Sequence, residues 1–421
     1  MIDKKIKVLV LSDHPFSPSG VGTQTKYMLE GCLATGRYSF VCLGGAIKHE
    51  NYQPIKTEEW GDDLIIYPVD GYGTHDIIRS MLRNHKPDMV WFMTDPRFWI
   101  WLWEIENEVR AVTPMIYYHV WDNYPYPKFN ELFYRSCDKV VTISKVTDDL
   151  VRTVAPGVEV EYLPHAVNQE VFKPLPKQQI ENMISETTPD MVGKTMFFWN
   201  NRNARRKQSG TILFWFKEFV DKVGRENVGL LMHTNPKDEH GQDLQAIIYE
   251  LGLDDGTVLF STTAVPPEIL AQLYNFAACT INISDAEGFG LSTLESLACG
   301  TPIIVNMTGG LQEQVTDGEN WFGIGIEPSS KAIIGSQQVP YIYEDRINKD
   351  DFLDALMKIY EMTPEERDAL GAAGQEYVTK NYNFETYQKR WIETLDDIYE
   401  RYGSWENRKG YDAWTLKEIA V

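Results

Sequence analysis

The sequence predicts an α/β protein of two Rossmann-like domains facing a cleft, each a parallel sheet with helices on both faces. Three observations lead there. Short apolar runs alternate with amphipathic stretches along nearly the whole chain, the pattern of repeated strand–helix–strand units. The alternation stops over residues 164–189, a stretch rich in Pro, Gln and Glu, and then begins again. A chain of 421 residues is also too long for one ordinary core.

In the first half, residues 6–11, 40–43, 64–69, 89–93, 115–118 and 140–143 are short and apolar enough to be strands buried on both faces. Each is followed by turn residues or a helical pattern. In the second half, strands are expected at 196–199, 228–232, 258–260, 280–283 and 302–305. The helices there read directly. Ile212, Trp215, Phe216, Phe219, Val220 and Val223 share one face, and Pro266-Pro267 opens a helix carrying Ile269, Leu270, Leu273 and Tyr274. A last stripe, Phe384, Tyr387, Trp391, Leu395 and Ile398, predicts C-terminal helices that pack back on the N-terminal domain. The expected divisions are 1–168, a linker at 169–194, a second domain at 195–383, and the C-terminal helices at 384–421. Trp91, Trp99, Trp101 and Trp103 could form a platform on which sugars or bases stack, but their place around the fourth strand and its helix favours core packing.

Composition removes several function classes. The formal charge of −21 disfavours a nucleic-acid backbone or an anionic lipid surface as partner. The five cysteines (Cys32, Cys42, Cys137, Cys279 and Cys299) are scattered, with no C-x-x-C, so reduced thiols and a cytoplasmic location are expected and a zinc site is not. The apolar run at 6–11 is too short for the core of a secretion signal. No integral membrane segment is expected either, since no stretch is long and apolar enough to span a bilayer.

The strongest chemical signal is Asp285-Ala286-Glu287-Gly288-Phe289-Gly290-Leu291-Ser292-Thr293-Leu294-Glu295, which follows an expected strand and opens an expected helix from Leu291 to Cys299. Gly288 and Gly290 let backbone N–H groups approach a ligand, and the helix N-terminus offers unpaired N–H groups to an anion. Phe289, Leu291 and Ser292 complete the loop and first turn. Glu287 lies at the mouth of this site. Glu295 lies one turn inside the helix, where its carboxylate can accept from ribose hydroxyls. In isolation, a glycine loop before a core helix with two solvated glutamates reads equally well.

A second signal follows the first strand of the second half: Asn200-Asn201-Arg202-Asn203-Ala204-Arg205-Arg206-Lys207-Gln208, four cations in a strongly acidic chain. Arg and Lys suit phosphate oxygens, the fork of Arg especially. A solvated basic loop is the alternative. A third is Ser17-Pro18-Ser19-Gly20-Val21-Gly22-Thr23 after the first strand; its G-x-G lacks the third glycine of a dinucleotide fingerprint. A fourth is His119, at the end of the strand expected at 115–118. A lone histidine is as readily a satisfied structural residue.

Taken together and in this order, these segments resemble glycosyltransferase family 4, retaining enzymes of the GT-B fold. Glu287 and Glu295 match the family's two glutamates separated by seven residues. Arg202 and Lys207 match its Arg and Lys, five apart, which hold the donor diphosphate. Gly20 and Gly22 match its N-terminal glycine loop, and His119 its strand-end histidine near the donor sugar. Gly309-Gly310-Leu311-Gln312-Glu313 resembles a later glycine loop near the donor. The sequence departs from the family where Asn200-Asn201 stand for a Gly before the Arg, and where Gln208 stands for the Gly after the Lys. The resemblance implies a nucleoside-diphosphate-sugar donor, retention at the anomeric carbon, and no metal or other cofactor. The absence of Asp-x-Asp agrees with cations taking the role of Mg²⁺. The acceptor side is assigned to 1–168 and the donor to 195–383. A hydroxyl of a glycan or small molecule is the expected acceptor. Other readings are a glycosyltransferase acting on a modified nucleic-acid base, a sugar-nucleotide epimerase of the same fold, which would consume donor alone, and a non-catalytic nucleotide-sugar-binding protein.

Overall fold

A computed structural model describes residues 4–416. By its internal contacts the chain forms two units, one of residues 1–165, 336–340 and 384–421, the other of 166–335 and 341–383.

The first unit is organised by an eight-stranded sheet in the order β3-β4-β2-β1-β5-β6-β7-β8. The strands are β1 (Ile6–Asp13), β2 (Tyr38–Gly45), β3 (Ile55–Lys56), β4 (Leu64–Pro68), β5 (Met89–Thr94), β6 (Met115–His119), β7 (Lys139–Thr142) and β8 (Val160–Tyr162). All pair in parallel except the β3–β4 edge. The central strands are apolar on both faces because helices cover both, as parallel sheets require. One covering helix, Gly20–Ala34, begins at Ser19, whose Oγ accepts from the Gly22 amide at 2.9 Å. The helix Phe384–Tyr402 packs against it. Tyr387 donates to the Gln24 carbonyl at 3.1 Å, Gln388 donates to the Tyr27 carbonyl at 3.1 Å, and Trp391 meets Trp91 and Tyr118 edge-on. Among the described residues, this is the one C-terminal helix that groups with the first unit, because the preceding one, Pro364–Asn381, packs against the helix Leu291–Ala298 in the second. Trp91, Trp99 and Trp103 are buried, and the rings of Trp99 and Trp103 meet Phe92, so the tryptophan segment is core.

The second unit carries a six-stranded sheet, all parallel, in the order β11-β10-β9-β12-β13-β14. Its strands are β9 (Thr195–Asn200), β10 (Val228–His233), β11 (Val258–Ser261), β12 (Cys279–Asn282), β13 (Ile303–Asn306) and β14 (Gly323–Ile326). The order reverses between β9 and β12. That reversal opens a crevice at the carboxyl ends of these two strands, where ligands bind in such sheets. An antiparallel hairpin, Ser330–Ile334 with Ile342–Arg346, follows β14. The stretch expected as a linker, 169–194, instead groups with the second unit and contains the helix Lys177–Thr187. Ile180 is the buried residue of that helix, and the helix packs against Pro267–Phe276. A single buried side chain leaves too weak an apolar stripe to be read from sequence.

Candidate functional site

The crevice of the second sheet is formed by two strand-end loops, one after β9 and one after β12. After β9, residues Arg205–Lys207 make one short helical turn, and Gln208 takes the left-handed conformation at φ +58° before the helix Ser209–Val223. Glycine tolerates that conformation best. Here the Gln208 side chain anchors the turn: Nε2 donates to Asp285 Oδ2 at 2.7 Å, and Oε1 accepts from Thr211 Oγ1 at 2.6 Å. This is how the chain accommodates a non-glycine residue after Lys207. The turn sends Lys207 inward, where it is buried and its ammonium donates to the Glu287 carboxylate. Arg206 donates to the Ala286 carbonyl at 2.7 Å, and its guanidinium lies 3.7 Å from Glu287. Burial would raise the Glu287 carboxyl, but Lys207 and Arg206 outweigh it and hold the group below its ordinary range.

Arg202 is placed differently. Its side chain is 60% exposed, and its guanidinium donates to Asp238 at 2.8 and 3.2 Å and meets His240 Nδ1 at 2.8 Å. It is therefore not brought to Glu287 as Lys207 is. Arg205 pairs with the buried Glu344 of the hairpin.

The loop after β12 is held from below. Gly290, at φ +93°, caps the helix Leu291–Ala298; a Cβ there would lie 2.5 Å from Leu311. The Gly310 amide donates to the Glu287 carbonyl at 3.0 Å. A Cβ on Gly310 would sit 2.7 Å from the Gly288 carbonyl oxygen, so this approach requires glycine. Gln314 Nε2 donates to the carbonyls of Phe289 and Gly290 at 2.7 and 3.1 Å, and Thr293 Oγ1 donates to Gln314 Oε1 at 2.6 Å. Phe289 is buried against the Tyr382 ring and serves as an anchor of the loop. Leu291 and Ser292 lie partly exposed in the first turn, where the helix leaves amide groups for an anion.

Eight residues past Glu287, the partly exposed Glu295 accepts from the Tyr274 hydroxyl at 2.7 Å, and Tyr274 in turn accepts from Asn200 Nδ2 at 2.8 Å. Burial raises the Glu295 carboxyl to about 7, against the opposing pull of Tyr274. Asp285 is raised to about 6, chiefly by burial. From the sequence, Tyr274 reads as core because it sits in a helical apolar stripe, and Asn200 reads only as a departure from the family pattern.

In the first unit, Gly20 is exposed at the start of its helix, whereas Gly22 is buried; a Cβ on Gly22 would sit 2.5 Å from Ser17 Oγ and 2.7 Å from the His14 carbonyl. Gly22 thus serves close packing. His119 requires a correction. It is fully buried, with Nδ1 3.0 Å from the Tyr117 hydroxyl and Nε2 2.9 Å from the Tyr134 hydroxyl. Burial lowers its ring to about 3. With both nitrogens occupied by phenols and no exposed surface, it is a satisfied core histidine and not a group that reaches a sugar.

Comparison with known proteins adds to this geometry. Residues 228–377 match the family described as glycosyl transferases group 1. The D-inositol 3-phosphate glycosyltransferase of Acidothermus cellulolyticus is 42% identical over 77 residues, 18% of this chain and 17% of that protein. That of Corynebacterium jeikeium is 27% identical over 186 residues, 43% of this chain and 42% of that protein. The chain matches about a fifth of the length of the first such relatives, 17% and 21%. Among solved structures, sucrose-phosphate synthase from Thermosynechococcus elongatus superposes with a TM-score of 0.74 at 16% identity, covering 94% of this chain and 100% of that one. Anabaena HepE in complex with UDP-glucose superposes at 0.69 and 14% identity, covering 93% and 99%. The chain thus has the GT-B fold, and the match to the group 1 glycosyl transferases lies within its second half. Among the described residues, no helix is long and apolar enough to cross a membrane.

Proposed function

We propose that this protein is a glycosyltransferase that moves a sugar from a nucleoside-diphosphate-sugar donor to a hydroxyl of a glycan or small molecule, with retention at the anomeric carbon and without a metal. The observation that carries the reading is the meeting of Lys207 with Glu287 at the carboxyl ends of β9 and β12, beside a glycine-braced helix N-terminus. A departing nucleoside diphosphate gains negative charge on its β-phosphate. The Lys207 ammonium and the first-turn amides near Ser292 offset that charge, and Arg202 supplies a second, more exposed cation. Glu287 orients donor-sugar hydroxyls while Lys207 and Arg206 keep it ionised. Glu295 accepts from the donor ribose. Residues 195–383 are assigned the donor and 1–168 the acceptor, in a protein of the cytoplasm. The charge of −21 argues against a nucleic-acid acceptor.

Relatives support the reading: one neighbour of like fold is described in complex with UDP-glucose, and the two curated relatives described above are named D-inositol 3-phosphate glycosyltransferase. The test is to incubate the chain with UDP-, GDP- and ADP-sugars, with and without sugar and polyol acceptors, and to follow nucleotide release and product. Acceptor-dependent release that persists in EDTA is expected. Conversion of donor alone would indicate an epimerase, and binding without any product a non-catalytic protein. Near-normal turnover by the Arg202→Ala, Lys207→Ala double variant would sink the diphosphate assignment.

A further inference from the structure

Glu287 is held by cations, but Glu295 is held by a neutral relay. Tyr274 lies on the helix Pro267–Phe276, fully buried, its ring edge-on to Phe198 at 5.1 Å and to Phe172 at 6.2 Å. The carbonyl of Tyr274 accepts from Thr301 Oγ1 at 2.8 Å, and its neighbour Asn275 is tied to Leu175, Lys173 and Ala271. The phenol therefore cannot turn away. A phenol has one proton to give. Because Tyr274 accepts from Asn200 Nδ2, that proton is directed at Glu295 Oε2. Glu295 Oε1 takes no hydrogen bond from the described residues, and the residue is partly exposed.

We infer that Asn200 and Tyr274 are positioning residues for donor recognition: they lock one oxygen of Glu295 and present the other to a ribose hydroxyl of the nucleotide. The inference rests on the proposed nucleotide-sugar reading and deepens it. Asn200 ends β9, Tyr274 meets it from one helix and Glu295 meets Tyr274 from another, so the relay ties the strand end of the crevice to the carboxylate. It also gives a role to one of the two residues that depart from the family pattern before Arg202. Burial pushes the Glu295 carboxyl up, and Tyr274 is the group that opposes it, so without the phenol the carboxylate is both less ionised and less fixed.

The experiment measures binding of UDP, GDP and ADP to the full chain by calorimetry, then of the 2′-deoxy and 3′-deoxy forms of whichever binds most tightly. The variants are Tyr274→Phe, which keeps the ring and its packing, and Asn200→Ala. In the unaltered protein, one deoxy form should bind roughly tenfold more weakly than the ribonucleotide, the worth of a hydrogen bond to a charged group. In Tyr274→Phe the ribonucleotide should weaken roughly tenfold while that deoxy form changes less than twofold, so the preference for ribose collapses. Asn200→Ala should do the same to a lesser extent. In turnover, KM for the donor should rise with kcat nearly unchanged. Equal weakening of both nucleotide forms, or an intact ribose preference in Tyr274→Phe, overturns the inference and leaves the enzyme reading standing. Failure of all three nucleotides to bind the unaltered chain overturns both.

Discussion

One loop-and-helix segment carries two glutamates eight residues apart, and the fold treats them in opposite ways. Glu287, in the loop, is met by Lys207 and Arg206 and is held below the ordinary carboxylate range. Glu295, in the helix, meets only a phenol among the described residues and is raised to about 7. Both lose water, so burial alone does not separate them; the charge of the partner does. A carboxylate bound to a cation keeps its charge throughout the physiological range and can act electrostatically. A carboxylate bound to a neutral donor pays for burial and keeps an oxygen open to a neutral ligand, as a ribose hydroxyl requires.

The largest effect comes from breaking the charged half. Lys207→Ala should reduce turnover by roughly 10²–10³, as the loss of a preorganised transition-state donor does. It should also destabilise the fold by about 3 kcal/mol, because the largely buried Glu287 loses its direct partner and keeps only Arg206 at 3.7 Å. Adding Glu287→Gln should restore most of that stability and none of the activity. Thermal or urea denaturation beside the transfer assay separates the two readouts. Equal recovery of both would mean that the pair serves the fold alone.

The neutral half is sharpened by pH. The folded-state carboxyl of Glu295 is raised from an ordinary 4.5 to about 7, so the native state binds its proton more tightly than the unfolded chain does. Its contribution to stability is complete below about pH 4.5 and is lost as pH rises through about 7. Glu295→Gln should flatten the stability profile in that window. At pH 8 the variant should be more stable than the unaltered protein by roughly 1–3 kcal/mol, while binding nucleoside diphosphate more weakly. A variant less stable at pH 8 would show that the buried charge is better satisfied than its single phenol partner suggests.

His119 carries the comparison into the first unit. It too is buried among phenols, but with both ring nitrogens occupied, so nothing is left for a ligand. His119→Phe should lower stability by about 2 kcal/mol, leaving the Tyr117 and Tyr134 hydroxyls without the ring. It should leave turnover per folded molecule unchanged. The ring is lowered from 6.5 to about 3, so the stability it contributes is present above pH 6.5 and is lost as pH falls toward 3; the variant should lack that acid sensitivity. A drop in kcat with normal stability would return His119 to the active site.

What could be read in the sequence follows the same division between strong local signals and long-range contacts. Strands apolar on both faces, such as β1 and β9, announce themselves. β14 does not, because Gly323 and Gly325 dilute its apolar run; β13 demands the first of them, since a Cβ on Gly323 would lie 2.1 Å from the Ile303 carbonyl oxygen. The hairpin Ser330–Ile334 with Ile342–Arg346 escapes because its first strand is largely exposed. In the site, Lys207 and Glu287 were each legible as a charge in a loop after an expected strand; that these two strands are neighbours in the sheet was not. Tyr274 was not: it lies 21 residues before Glu295 on another helix, and a buried tyrosine in an apolar stripe carries no mark of the hydrogen bond it makes. His119 was misread for the converse reason, since a strand-end histidine gives no sign that two tyrosines will enclose it.

Gln208 supplies the smallest and most specific test, because it holds a third carboxylate, Asp285, by a neutral amide within the same crevice. Its left-handed backbone carries a penalty of roughly 1 kcal/mol for any residue with a Cβ, and the two side-chain hydrogen bonds offset it. Gln208→Ala removes the bonds and keeps the penalty, so it should destabilise by about 1–2 kcal/mol. Gln208→Gly removes both and should come out within about 0.5 kcal/mol of the unaltered protein. Both leave Asp285 without its amide partner. If that carboxyl is what tunes the crevice, both variants should show the same change in nucleotide affinity despite their different stabilities. If the turn geometry beneath Lys207 matters instead, affinity should follow stability, and the glycine variant alone should behave normally.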